Sequence, residues 1–190
     1  TIILLVCVIL TGCSSAKRQA HQPDTLIIAI DQTPVNLDPR IGIDKSSDDF
    51  HHLLFNGLLK KNENERMVPD LAKSWERVNP TLYRFVLREG IHFHDGRMLR
   101  PQDVVFTYRS ILSGQVMSTK KATLESISEI RAVGKNVVEV QLKQPFNGLL
   151  YNMNIGIFPE NSPSNFAQNP IGTGPYRLIS FGSDGDAQLQ

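Results

Sequence analysis

Cysteine is nearly absent: the 190 residues hold two, Cys7 and Cys13, both close to the start. A disulfide framework of the kind that staples small secreted domains is therefore excluded beyond Cys13, and stability there must come from packing. A surplus of either charge is also missing. Lys plus Arg number 20 against 19 Asp plus Glu, a formal charge of +1, and no basic block stands out, which argues against a nucleic-acid partner. Long apolar runs are scarce as well. The run Ile2 to Leu10 falls far short of the ~20 residues that span a bilayer, and no internal repeat is visible. What is present, 41% hydrophobic and 21% charged residues, is the composition of a globular chain long enough to bury a core.

Ile2 to Leu10 has the length of a signal-sequence h-region, with no initiator Met or basic n-region ahead of it, as though a few residues were missing from the start. Leu10-Thr11-Gly12-Cys13 closes the run and resembles the bacterial lipobox; an ordinary signal peptide is the alternative. The lipobox resemblance implies that Cys7 leaves with the signal (1–13) and that Cys13 is acylated as the mature N-terminus. Two or three acyl chains, at about 0.8 kcal/mol per buried CH₂, anchor a protein at a membrane surface without spanning it. The polar stretch 14–24 then reads as a tether.

Thr25 to Ile30 is a short apolar run suited to a strand covered on both faces, and Asp31 to Pro39 breaks it as a loop with two prolines. Asp48 to Leu59 has helical spacing, interrupted by Gly57, and Lys60 to Arg66 is a charged connection or hairpin tip. Val68 to Glu76 leads into a strand that turns at Asn79-Pro80 and returns through Leu82 to Leu87. Leu87 to Leu112 then writes strand, turn and helix in succession. Asp95-Gly96 supplies the turn, Pro101 suits the first helical position, Asp103 places a carboxylate in the first turn, and Val104, Val105, Tyr108, Ile111 and Leu112 form one apolar stripe. Strands follow over Ile127 to Val133 and Val137 to Leu142 with Gly134 to Asn136 as their loop. Pro145 to Tyr151 starts a short helix, and Tyr176 to Phe181 is a strand after the turn Gly172-Thr173-Gly174-Pro175. Gly182 to Gly185 has the look of a hairpin tip, so the sequence reads as truncated at Gln190.

Four motifs in order, Val68-Pro69-Asp70-Leu71-Ala72-Lys73-Ser74-Trp75, Leu87 to Gly96, Asp103-Val104-Val105-Phe106-Thr107 and Ile171 to Tyr176, resemble the extracellular solute-binding protein family 5. The family supplies peptide, nickel and related ABC importers. The resemblance runs from about Thr25 to the end. It implies an α/β, periplasmic-binding-protein-like two-lobe fold of type II, of which only the first lobe and its inserted α+β domain are present. By that analogy 25–42 begins lobe one, 43–168 is the inserted domain, and 169–190 returns to lobe one. The implied role is a lipid-anchored binding protein of the cell envelope, without cofactor or chemistry, that closes on a peptide or similar small solute and delivers it to a permease with its ATPase. Nickel or another small solute is the alternative ligand. One departure stands out: Arg100-Pro101 replaces the small hydroxyl residue the family usually has there, implying a weaker helix cap and the same fold.

Asp31, Gln32, Thr33 and Asn36 follow the first strand and resemble the family segment that lines the cleft, where polar groups meet a peptide backbone regardless of its side chains; a loop satisfying itself with Asx turns is the plainer reading. His92 and His94 flank Phe93 on a presumed strand beside Asp95, a metal-ligand pattern that lacks further ligands at recognisable spacing, and the resemblance places it in scaffold. Ser118 and Lys121 match the Ser-x-x-Lys spacing of acyl-serine enzymes without its companion motifs, leaving a surface hydrolase as a rival, with an accessory or sensor lipoprotein as another. Gly172-Thr173-Gly174 is too short for a phosphate loop and reads as a tight turn. Trp75 and Phe85 sit at strand positions where core packing is expected.

Overall fold

The computed structural model describes residues 32–42, 44–162, 166–182 and 186–190. The expected signal sequence with Cys13, the tether, the strand over 25–30 and Asp31 lie outside the described residues.

The first helix, α1 (Lys45–Leu54), starts where Asp44 accepts the Ser47 N–H at 2.8 Å, which satisfies one of the donors a helix N-terminus leaves open. It stops at an extended Phe55, earlier than the sequence spacing predicts. Leu58 and Leu59 leave the helix because the chain there pairs with another segment: Leu59 N–H donates to the Met153 carbonyl, and a Cβ on Gly57 would meet the Asn154 backbone at 2.7 Å. Leu59 opens β1 (Leu59–Lys61), which pairs with β2 (Met67–Pro69) around the charged tip.

Four antiparallel strands, β3 (Ala72–Asn79), β4 (Leu82–Leu87), β5 (Ile127–Val133) and β6 (Val137–Leu142), form a sheet in the order β3-β4-β6-β5. Alternation sorts its faces. Tyr83, Phe85 and Leu87 from β4 and Val138, Val140 and Leu142 from β6 are buried, and α2 (Pro101–Leu112) packs on β5 and β6. The opposite face carries a charged row, with Glu76, Arg84, Glu139 and Arg131 side by side on the four strands. Arg84 and Arg131 reach the Glu139 carboxylate at 2.8 and 2.6 Å, so this carboxylate, only 5% exposed, is shared between two guanidiniums.

The α2 stripe Val104, Tyr108 and Ile111 is fully buried, each side chain contributing about 1.5–3 kcal/mol of transfer free energy. At the helix start Asp103 makes good the missing hydroxyl cap. Its Oδ2 accepts the Arg100 N–H at 2.7 Å and its Oδ1 the Glu160 N–H at 2.8 Å, tying the helix to the turn that follows Phe158. A four-residue helix, α3 (Lys121–Leu124), and a 3-10 turn (Leu149–Asn152) complete the cover of the larger core. The sequence reads as a polar break over Gly114 to Lys121 and gives no sign of α3.

A smaller core joins Leu37, Phe50, Leu54, Phe55, Phe158 and Phe166, with the hairpin of β7 (Leu178–Phe181) and β8 (Ala187–Leu189) packed against it. Its rings meet at 4.7 Å (Phe158 and Phe166) and 5.9 Å (Phe50 and Phe181) between centroids. The helix α1 thus shares its apolar face with the segments before and after the sheet unit. Trp75 faces the same side as Phe85 and lies 6.4 Å from the Tyr83 ring, yet remains 36% exposed because β3 is the sheet edge away from α2. The expectation of a core tryptophan is corrected accordingly; Phe85 is fully buried.

Candidate functional site

The loop over 32–42 combines an exposed edge with a fixed base. Gln32, Thr33 and Val35 are exposed, Val35 at 83%, whereas Leu37, Asp38 and Pro39 are buried. Local chemistry shapes the base. The Asn36 Oδ1 accepts the Asp38 N–H at 2.8 Å, an Asx turn, and the Asp38 Oδ1 accepts the Arg40 N–H at 2.9 Å. The Arg40 guanidinium folds back on the Asp38 carboxylate at 2.6 and 2.9 Å, lies 4.3 Å from the Phe158 ring centroid, and donates to the Ser110 Oγ at 3.1 Å.

Other elements grip the base from below. The Asn36 N–H donates to the Ser47 Oγ at 3.2 Å, and the Asn36 carbonyl accepts from His51 Nε2 at 3.0 Å, so His51 carries a proton on Nε2. Burial, with the Lys120 charge adding to it, pushes the His51 pKa down from 6.5 to about 4. From the far side of α2 the Ser118 hydroxyl donates to the Arg40 carbonyl, and the Lys120 Nζ donates to the Pro39 carbonyl at 2.6 Å. Burial lowers the Lys120 pKa below its ordinary value. A cavity of about 540 Å³, lined by Gly42, Asp44, Lys45, Asp48 and Lys120, opens next to this base.

Of the residues singled out in the sequence, Gln32 and Thr33 occupy the exposed edge, and Asn36 is half-buried with its backbone and Oδ1 used inside the fold. His92 and His94 do not converge. The His92 Nδ1 lies 3.0 Å from the Gly90 carbonyl, whereas His94 reaches the return turn, its Nε2 at 3.0 Å from the Gly174 carbonyl and its Nδ1 accepting the Gly172 N–H at 3.3 Å. Ser118 is engaged by backbone groups, since its Oγ also accepts the Lys120 N–H at 3.1 Å. Gly172 and Gly174 press on the end of α1: the Gly174 N–H donates to the Leu54 carbonyl at 2.9 Å, and a Cβ on Gly172 would lie 1.9 Å from that oxygen. Sequence reasoning missed Asp38, Arg40, Ser110 and Lys120, and weighed His51 only with His52 as a poor metal pair, since neighbours on a helix point about 100° apart. Asp38-Pro39-Arg40 carried a turn signal, but partners some 70 to 80 positions away leave no local mark.

Residues 66–190 match the family described as "Bacterial extracellular solute-binding proteins, family 5 Middle". Among curated relatives, the HTH-type transcriptional regulator SgrR of Yersinia enterocolitica is 35% identical over 151 residues, covering 76% of this chain and 26% of SgrR. Among solved structures, NikZ from Campylobacter jejuni in complex with Ni(L-His) superposes with a TM-score of 0.72 at 32% identity, over 84% of this chain and 34% of NikZ. The oligopeptide-binding protein AppA from Bacillus subtilis, in complex with a nonapeptide, gives a TM-score of 0.74 at 27% identity, over 80% of this chain and 33% of AppA. The chain therefore spans about a quarter to a third of the length of these relatives.

Proposed function

This chain belongs to the bacterial extracellular solute-binding proteins of family 5, and on that premise we propose that it is part of a substrate-binding lipoprotein serving an ABC importer. Acylated Cys13 anchors it to the envelope membrane, 14–24 is its tether, and 43–168 is the inserted domain between the two parts of lobe one. The protein captures ligand by lobe closure and hands it to a permease driven by an ATPase. Closure needs no chemistry. Ligand stabilises the closed form by touching both lobes, and shifts the equilibrium only by as much as it prefers that form.

The observation that carries this reading is the loop over 32–42, whose exposed edge stands on a base held by hydrogen bonds from α1, α2 and the segment after α2. A rigid base with an open edge suits capture, because a preorganised surface loses little conformational freedom on binding. Gln32 and Thr33 present backbone and side-chain groups suited to a peptide main chain, so peptide is the first choice of ligand, as in AppA; a metal complex of the kind held by NikZ is the second. The SgrR match favours one further reading, a ligand-sensing module that reports a bound solute to another domain or partner. The hydrolase reading has less support, since the Ser118 hydroxyl donates to the Arg40 carbonyl and accepts the Lys120 N–H, and no hydrogen bond among the described residues links it to the Lys121 side chain as its base.

Thermal shift and calorimetry on the intact protein test the proposal, with a randomised nonapeptide pool and Ni(II)–L-histidine as probes. Ligand at a hundredfold its Kd adds about 2.7 kcal/mol, several degrees in Tm. A shift with peptide supports the first choice and one with Ni(II)–L-histidine the second. Silence with both sinks the binding reading.

A further inference from the structure

We propose that Ser118 and Lys120 are positioning residues for the edge Gln32 to Val35: they hold the base of the loop and thereby set where that edge meets the ligand. The inference rests on the binding role proposed above and extends it to residues that touch no ligand.

Two consecutive carbonyls of the loop, those of Pro39 and Arg40, are taken by two side chains of one short segment, Lys120 Nζ at 2.6 Å and Ser118 Oγ. The clamp is braced from behind. Ser118 Oγ accepts the Lys120 N–H at 3.1 Å, and α3 begins at Lys121, so neither clamp residue moves without the other. A lysine is seldom withdrawn from water unless its charge is met. Here the ammonium meets the Pro39 carbonyl and faces the Asp38 and Asp48 carboxylates. Both residues are half-buried, and a fully solvated surface segment would not show this pairing.

The loop itself transmits the grip. Asn36, Asp38 and Arg40 are linked by successive side-chain to backbone bonds, and the Asp38 carbonyl accepts the N–H groups of Ile41 and Gly42 at 3.0 and 3.1 Å. Such a base moves as one piece, and the exposed edge is continuous with it. Arg40 adds a further tie, this one to α2, through Ser110. The clamp therefore lets the sheet unit decide the geometry of the ligand-facing edge.

Hydrogen exchange and probe titration on the intact protein test this, using Lys120→Met, which keeps the buried stem, Ser118→Ala, and Lys121→Met as a control that removes the same charge from an exposed neighbour. The first two are expected to raise exchange at Asn36, Asp38 and Arg40 about tenfold, the change that loss of one hydrogen bond of about 1.4 kcal/mol brings, with β4 and β6 unaffected. They are expected to weaken by about tenfold whichever of the nonapeptide pool or Ni(II)–L-histidine binds the wild type, while Lys121→Met changes neither readout. Unchanged exchange in the loop overturns the clamp. Faster exchange with full affinity overturns the positioning role. If the wild type binds neither probe, the binding reading falls by itself, and exchange still decides whether the clamp exists.

Discussion

His51 lies beneath the loop with its Nε2 on the Asn36 carbonyl and its pKa lowered from 6.5 to about 4 by burial. An unfolded chain takes up the imidazole proton near the ordinary histidine value, whereas the folded one refuses it until about 4. Between those values the unfolded state binds more protons, so stability rises with pH across the window and falls on acidification from 6.5 toward 4. His52, raised by its hydrogen bond to Asp48, acts in the opposite sense, but it is exposed and contributes little. We expect the Tm of the intact protein to drop between pH 7 and 4.5, and to drop less in His51→Gln, which keeps a donor for Asn36 without the titration. Parallel slopes for the two proteins in calorimetry would remove His51 from the account. The acid response should be strongest in the loop, because the added proton, landing on Nδ1, charges the buried ring whose Nε2 holds the Asn36 carbonyl.

At the scale of the element, α2 illustrates how a missing cap is replaced. Asp103 accepts from both Arg100 and Glu160, so Asp103→Ala leaves two N–H groups without partners and should cost about 1–3 kcal/mol in urea unfolding with the native fold retained. A loss below ~0.5 kcal/mol, the range of ordinary surface changes, would show that the carboxylate does not support the helix. The same helix shows what a sequence discloses. Asp95-Gly96, Pro101, Asn79-Pro80 and Gly134 to Asn136 mark their boundaries chemically, and the structure has turns or element ends at each. Leu58 and Leu59 were unreadable, because a short apolar run fits helix or strand equally until Met153 and Asn154 arrive as partners. The loop was legible as a loop from its two prolines, Pro34 and Pro39. Its supports, Ser118 and Lys120, were not, since a hydrogen bond across such a sequence distance leaves no pattern in either segment. His94 taught the converse, a metal-like spacing whose ring holds two backbone groups of the return turn.

At the scale of the molecule, two apolar cores of unequal size among the described residues meet where Gly172 to Gly174 touches α1 and His94 clasps the turn. Exchange should follow that architecture. The central strands β4 and β6, paired on both sides, are expected to exchange most slowly, while β3, an edge strand exposed along most of its length, and the β7–β8 hairpin exchange fastest. Mass-spectrometric exchange in which β3 is as protected as β4 would contradict this. The charged row on the outer face bears on how the sheet finds its alignment. A slip of one residue between strands would turn the apolar face outward and is self-correcting. A slip of two keeps every apolar side chain inward, so hydrophobic burial alone does not reject it. It would, however, set Glu139 against Val86 or Leu82 in place of Arg84, leaving the buried carboxylate with Arg131 alone where the native register gives it two guanidiniums. The row thus acts as a proofreader of strand alignment, discriminating between arrangements that the core by itself would accept.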